Sequence, residues 1–140
     1  MSAGFTPIEH TADVGLEVWG KTLEELFGAA ACGMFSFFTS LEDIKPSKSK
    51  NVVVKSNDLE ELLVDWLNEL NYLFETEKFV FNTFKITIDK SKFTLKAKCT
   101  GEKIDLSKRE VMTEIKAATF SDLQIKRQNN LYKTTVIFDV

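Results

Sequence analysis

The chain has 140 residues, of which 44% are hydrophobic and 11% aromatic, and its formal net charge is -3. This length suits one domain that buries about two-thirds of its unfolded surface, and the apolar content excludes a disordered chain. The charge balance disfavours a protein that itself grips a nucleic-acid backbone, although 18 Lys and Arg residues leave a local basic patch open.

We expect no signal peptide at the beginning of the chain. Residues 1–5 have neither the basic region nor the apolar region of a signal peptide. No apolar run in the sequence approaches the roughly 18 residues that a helix needs to cross a bilayer. We therefore expect a cytoplasmic protein that does not contact a membrane.

A strand and a helix are predicted next. Residues 16–19 have the alternation of a half-exposed strand, and Gly20 ends it. Thr22 and Glu25 match a capping box, in which a hydroxyl and a carboxylate satisfy backbone donors at the start of a helix. The spacing of apolar residues predicts that this helix runs to about residue 38.

A loop, a short strand and a second helix follow. The polar segment 39–51 predicts a mobile surface loop, and 52–54 a short strand. From residue 59 to about residue 75 the apolar residues fall on one arc at helical spacing, so this helix is predicted to face a core.

The rest of the chain is predicted to be mostly strand. The predicted strands are 79–81, 84–88, 93–99, 115–120, 123–126 and 131–138. The last two are joined as a hairpin across residues 128–130. Two helices packed on a largely antiparallel sheet make an α+β two-layer sandwich, and without a linker or repeat we expect one domain over residues 1–140.

The two ends of the chain carry candidate ligands. Asp13 lies in a short segment without helical or strand periodicity, and Asp139 precedes the terminal carboxylate at Val140. If the fold brings the ends together, three hard oxygen ligands outline a divalent-cation site. The alternative is that Asp13 caps a turn and Asp139 is a solvated tail residue.

The single histidine, His10, lies three residues before Asp13. It could be a further ligand, a proton carrier, or an imidazole that orients Asp13. We favour the supporting role. No serine or cysteine partner lies at a recognisable spacing, so the sequence makes no case for a nucleophilic hydrolase.

The second helix also carries an acidic stripe, Glu61, Asp65 and Glu69, at i, i+4 and i+8. Such a stripe is usually a solvated face, since like charges at this spacing disfavour the helix slightly. The alternative is a surface that gathers cations or meets a basic partner.

Cys32 and Cys99 are expected to pack as small apolar residues. Neither has an adjacent base that would make it a nucleophile. A disulfide between them is left open, and with a single histidine they do not make a zinc site.

Five short motifs, in this order along the chain, cover residues 10–15, 63–70, 101–105, 114–117 and 138–140. Together they resemble the archease family over essentially the whole length. The resemblance implies an accessory protein of the RtcB-type RNA ligase, the manganese- and GTP-dependent enzyme that seals tRNA halves and other cleaved RNAs. The accessory protein promotes guanylylation of the ligase and its multiple turnover, and it meets RNA only through the ligase.

The resemblance also implies site residues. The family's divalent-cation site maps onto Asp13, Asp139 and Val140, with calcium the expected cation and manganese or magnesium as alternatives. Lys116 and Asp65 lie in family motifs and are expected to be supporting or partner-facing. The chain departs from the family at Phe120-Ser121, where many members carry a histidine.

Two other functions are kept as alternatives. One is a general protein-binding or chaperone-like module in which the metal only braces the chain ends. The other is a small metal-dependent hydrolase that uses His10 as its base, which the sparse ligand set disfavours. The sequence does not indicate an oligomeric state.

Overall fold

The computed structural model describes residues 3–10, 13–108, 111–121 and 123–140, and of His10 it describes only the main chain. Within these residues the secondary structure follows the order of the sequence. The elements are β1 (Gly4–His10), β2 (Asp13–Gly20), α1 (Leu23–Ser36), a 3-10 turn (Leu41–Asp43), β3 (Lys48–Lys55), α2 (Leu59–Glu77), β4 (Phe79–Asp89), β5 (Thr94–Lys103), β6 (Ala117–Thr119), β7 (Lys126–Gln128) and β8 (Leu131–Asp139).

The strands form two antiparallel sheets. The five-stranded sheet has the order β1-β2-β8-β6, with β7 also paired to β8, and the three-stranded sheet has the order β3-β5-β4. The α+β class predicted from the sequence is confirmed. The single predicted sheet is divided in two, because β3, β4 and β5 pair only with one another among the described strands.

The helices share one hydrophobic core with both sheets. Helix α1 packs on β1 and β2 of the first sheet and on β4 of the second. Phe27 of α1 and Trp66 of α2 are fully buried, and the Trp66 indole Nε1 donates to the Phe27 carbonyl oxygen at 3.1 Å. Burial of each large side chain contributes about 1.5–3 kcal/mol, so the apolar stripe predicted on α2 holds the layers together.

Both helix starts are capped by side chains. Thr22 Oγ1 accepts from Glu25 N at 3.1 Å, while Glu25 Oε1 accepts from Lys21 N at 3.3 Å, one residue earlier than the capping-box pattern predicted. In α2, Asp58 Oδ1 accepts from Glu61 N at 2.8 Å. Neither helix within the described ranges is long and apolar enough to cross a bilayer.

Strand boundaries differ from the sequence prediction in several places, including β1, β3 and β7. Strand β1 was not predicted, and it contains Pro7, which has no N–H to donate to a ladder. An edge strand tolerates this residue because only its other side pairs, here with β2. The predicted hairpin with β8 is confirmed, but its first strand, β7, is Lys126–Gln128 and not 123–126. Asn129 and Asn130 have positive φ, as a tight two-residue turn requires.

Both cysteines are free thiols. Burial raises the pKa of the Cys99 thiol to about 12 and raises the pKa of Cys32 above its ordinary value. Because only a thiolate is a strong nucleophile, both side chains act as packing groups at neutral pH, as the sequence predicted.

Candidate functional site

The five-stranded sheet brings the two ends of the chain together. Strands β2 and β8 are antiparallel neighbours, and Val14 lies opposite Phe138. Asp13 directly precedes Val14 and Asp139 directly follows Phe138. Because the strands are antiparallel, the two acidic residues occupy the next pair of positions beyond Val14 and Phe138. Neighbouring strands are about 4.8 Å apart, and the carboxylates therefore extend from adjacent backbone positions.

The two acidic residues share the face of the sheet that lies away from the core. Side chains alternate along a strand, and Leu16, Val136 and Phe138 are fully buried on the core face. Gly15 lies opposite Ile137 on the other face, and a Cβ at Gly15 would lie 2.9 Å from Ile8 Cγ1. The side chains of Ile8 and Ile137 lie over Gly15, on the same face as the acidic pair. Asp139 is exposed.

The outer strands add two further residues predicted from the sequence. The His10 main chain lies opposite Asp13 in the pairing of β1 with β2. On the other side, Lys116 N donates to the Asp139 carbonyl oxygen at 2.8 Å, and Ala117 lies opposite Asp139. Four adjacent strands thus carry the candidate residues to one end of one sheet. The supporting role predicted for the His10 imidazole lies outside what the structure describes.

Two asparagines of α2 hold the segment that carries Lys116. Asn68 Oδ1 accepts from Ala118 N at 2.7 Å, and Asn71 Nδ2 donates to the Ile115 carbonyl oxygen at 3.0 Å. Both were missed as site residues from sequence. The sequence offered one signal: Asn71 is a polar residue four positions after Leu67, on the apolar stripe. In the structure its side chain is 4% exposed.

Asn71→Leu is expected to destabilise the protein by about 1–3 kcal/mol, because a buried carbonyl loses its donor. Denaturant unfolding of the variant measures this, with Tyr72→Leu as control, since Tyr72 is 58% exposed on the same helix and surface changes usually stay within about 0.5 kcal/mol. Equal stability of the two variants would contradict the anchoring role of Asn71.

The acidic stripe of α2 is used largely within the fold. Asp65 Oδ2 accepts from Ser56 Oγ at 2.6 Å, and Glu61 Oε1 accepts from Asn57 N at 3.1 Å. These bonds brace the N-terminal half of the helix. Glu69 is the exposed member of the stripe. Asp65 is therefore hydrogen-bonded within the fold, and its partner-facing role stays a prediction.

The motif at Gly101-Glu102 also has a structural explanation. Glu102 Oε2 accepts from Lys45 N at 2.9 Å, and the Gly101 carbonyl oxygen accepts from Ser47 N at 3.0 Å. Asp105, at the end of this motif, accepts from the Ser107 hydroxyl and amide, which lowers the pKa of its carboxyl group. The hydrogen bonds of Gly101 and Glu102 therefore hold the segment before β3 in place, and those of Asp105 form a turn.

The acidic pair fits a cation bound by oxygen. Two carboxylates and a main-chain oxygen at Val140 are hard donors, which suit calcium, magnesium or manganese and do not suit a thiolate-bound metal. In the described part of the chain no three His, Cys, Asp or Glu side chains gather in one metal-sized cluster. Calcium takes six to eight oxygen ligands, waters included, so a cation here would keep much of its water.

The chain is similar in sequence to known proteins of one family. The model of the Archease protein family matches residues 5–140. Over 136 residues the chain is 39% identical to protein archease of Methanosarcina barkeri, covering 95% of this chain and 93% of the relative. It is 35% identical to protein archease of Sulfurisphaera tokodaii, covering 97% and 98%.

Two solved structures are similar in fold. The solution structure of protein 1598 of Methanobacterium thermoautotrophicum superposes with a TM-score of 0.86 at 35% identity, covering 98% of this chain and 99% of that one. A crystal structure from Thermotoga maritima, described as an archease and possible chaperone, gives a TM-score of 0.64 at 25% identity, covering 96% of each chain.

Proposed function

The chain belongs to the archease family, and from this we propose that it is an accessory factor, not itself an enzyme, that activates an RtcB-type RNA ligase. In this role it promotes GTP-dependent guanylylation of the ligase and its multiple turnover in tRNA splicing and RNA repair. The observation that carries the proposal is the placement of Asp13 and Asp139 next to each other, directly beyond the Val14–Phe138 pair at one end of β2 and β8. A cytoplasmic location is part of the same proposal.

The acidic pair is the functional end of the molecule in this proposal. Asp13, Asp139 and Val140 would hold a divalent cation, calcium first and manganese or magnesium as alternatives. When bound, the cation would supply positive charge beside the triphosphate of the GTP that the ligase binds. The chain's own residues hold the two carboxylates in register, and Lys116 fixes the Asp139 main chain from the neighbouring strand.

Exposed apolar side chains near this end support a protein partner. Met112 is 65% exposed, Phe120 57% and Val140 41%. Met112 N donates to the Phe38 carbonyl oxygen, and Phe37 lines the same cleft as Asp13. Apolar groups at the centre of a protein interface are typical of stable docking, so we infer that the ligase covers this end of the sheet. Lys116 is exposed in the same region.

Multiple-turnover ligation tests the proposal. A purified RtcB-type ligase is given excess RNA ends, GTP and limiting manganese, with and without this chain. We expect product to exceed one equivalent per ligase only when the chain is present. Product that does not change on its addition would contradict the proposal.

A chaperone-like module is the second candidate, because the Thermotoga maritima relative is described as a possible chaperone. It would protect unrelated proteins from thermal aggregation, and chelation of the metal would lower its melting temperature. Protection of a heat-unfolded client without any effect on ligase turnover would favour this candidate.

A further inference from the structure

The outer face of the three-stranded sheet is strongly basic. Side chains alternate along β5, so Leu95, Ala97 and Cys99 are buried while Lys96 and Lys98 are exposed. Lys85 of β4 and Lys55 of β3 are exposed on the same face. We call these four lysines, Lys55, Lys85, Lys96 and Lys98, the basic face.

The lysines of the basic face are placed against one another. Lys85 lies directly opposite Lys98 in the pairing of β4 with β5. Like charges directly opposite destabilise a sheet, so this pairing costs folding free energy. The ion pair in the described residues joins Lys50 and Glu77, and within those residues the four lysines have no carboxylate partner. Asp89, at the corner of the face, already accepts from the Ser91 hydroxyl and amide.

Protection of a sheet edge does not explain this arrangement. Lysines on edge strands prevent one sheet from pairing with another. Lys96 and Lys98, however, are on β5, which is the central strand of the order β3-β5-β4. Their positive charge therefore has a use other than blocking an edge.

The other residues of the face indicate the chemistry of the partner. Ser49, Thr83, Thr87 and Thr100 surround the lysines with hydroxyl groups, and Val53 is the apolar member. A protein interface needs an apolar centre and is depleted in lysine. Sequence-tolerant stacking of bases needs aromatic side chains, which these positions do not supply. Lysine and hydroxyl groups without aromatics suit phosphate oxygens.

In contrast to the indirect contact expected from the family resemblance, we propose that the basic face binds the phosphate backbone of RNA directly. The choice of RNA as the polyanion rests on the proposed function, which brings the chain beside RNA ends. Lysines two residues apart on one strand are about 7 Å apart, and those on neighbouring strands about 5 Å, so several phosphates can be neutralised at once. The whole chain has a net charge of -3 although this face carries four lysines, so the remainder of the molecule is acidic and directs RNA to the basic face.

The binding follows from charge and is therefore sensitive to salt. For single-stranded RNA with four neutralised phosphates, affinity falls roughly 50-fold between 50 and 200 mM salt. Fluorescence anisotropy of the isolated chain with a labelled 20-nucleotide RNA of mixed sequence measures this dependence.

The variant K85Q/K96Q/K98Q tests which lysines are responsible. We expect weaker binding at 50 mM salt and a slope of log affinity against log salt that is smaller by roughly two. The control K21Q/K45Q/K108Q removes the same charge from exposed lysines elsewhere and keeps the slope of the wild type. Melting temperatures of both variants report whether the fold is kept.

Two results would overturn the inference: no RNA binding by the wild-type chain at 50 mM salt, or equal binding by the basic-face variant and the wild type. In the first of these cases, loss of ligase stimulation by the basic-face variant would identify the face as a protein docking surface. RNA binding through the basic face, together with no stimulation of the ligase, would leave the inference standing and contradict the proposed function alone.

Discussion

Replacement of Asp13 or Asp139 by Asn is expected to abolish stimulation of ligase turnover while the fold is kept. The two residues lie at adjacent positions of paired strands, so each substitution removes half of the acidic charge without a change of side-chain volume. Loss of an outer-shell partner of a metal costs roughly 10- to 100-fold in affinity, and loss of a direct carboxylate ligand is expected to exceed that. Calorimetric titration with calcium and with manganese measures the affinity.

Glu17→Gln is the matched control for these variants. Glu17 is an exposed carboxylate on the same strand and the same face as Asp13, four residues further along, which is about 13 Å. It should keep both metal affinity and ligase stimulation. Full stimulation by a folded variant that carries both Asp13→Asn and Asp139→Asn would contradict the proposed role of the acidic pair.

Among the glycine-to-alanine changes, Gly101→Ala is expected to give the largest loss of stability. A Cβ at Gly101 would overlap the Val80 carbonyl oxygen and would lie 2.7 Å from Phe81 Cα. Both contacts are with main-chain atoms of β4, beside the irregularity between Phe81 and Thr83, so neither can move away as a side chain would. Overpacking typically costs 1–3 kcal/mol, and we expect about 3 kcal/mol here.

Thermal unfolding measures this loss, and the melting temperature should fall by about 10 °C. Gly28→Ala is the control, because its added methyl would meet nothing closer than Ile86 Cδ1 at 3.7 Å. Within α1 this change should stabilise the protein by about 0.5–1 kcal/mol. A melting temperature of Gly101→Ala equal to that of the wild type would show that β4 and β5 separate freely at this point.

The helices were predicted best, because their signals are local. The apolar stripe of α2 and the cap at Thr22 depend on residues within one or two turns, and the structure confirms the predicted starts of both helices. Strand β1 and the full length of β3 were not predicted. Their residues lack clear alternation, and they become strands through pairing with β2 and β5.

The same distinction holds for the two candidate surfaces. Asp13 and Asp139 were recognised by residue type and motif, yet they are 126 residues apart in the chain, and only the register of β2 with β8 makes them neighbours. The lysines of the basic face are spread over three strands, and only the pairing of β3, β4 and β5 gathers them on one face.

The sequence by itself determined the α+β class, the helix faces, the family resemblance and the types of side chain available for a cation. The tertiary structure decided the division into two sheets, the meeting of the chain ends and the gathering of Lys55, Lys85, Lys96 and Lys98 on one face. The physical reason is that strand pairing and register are set by contacts between distant residues and by burial of one face, whereas helix periodicity and capping depend only on near neighbours.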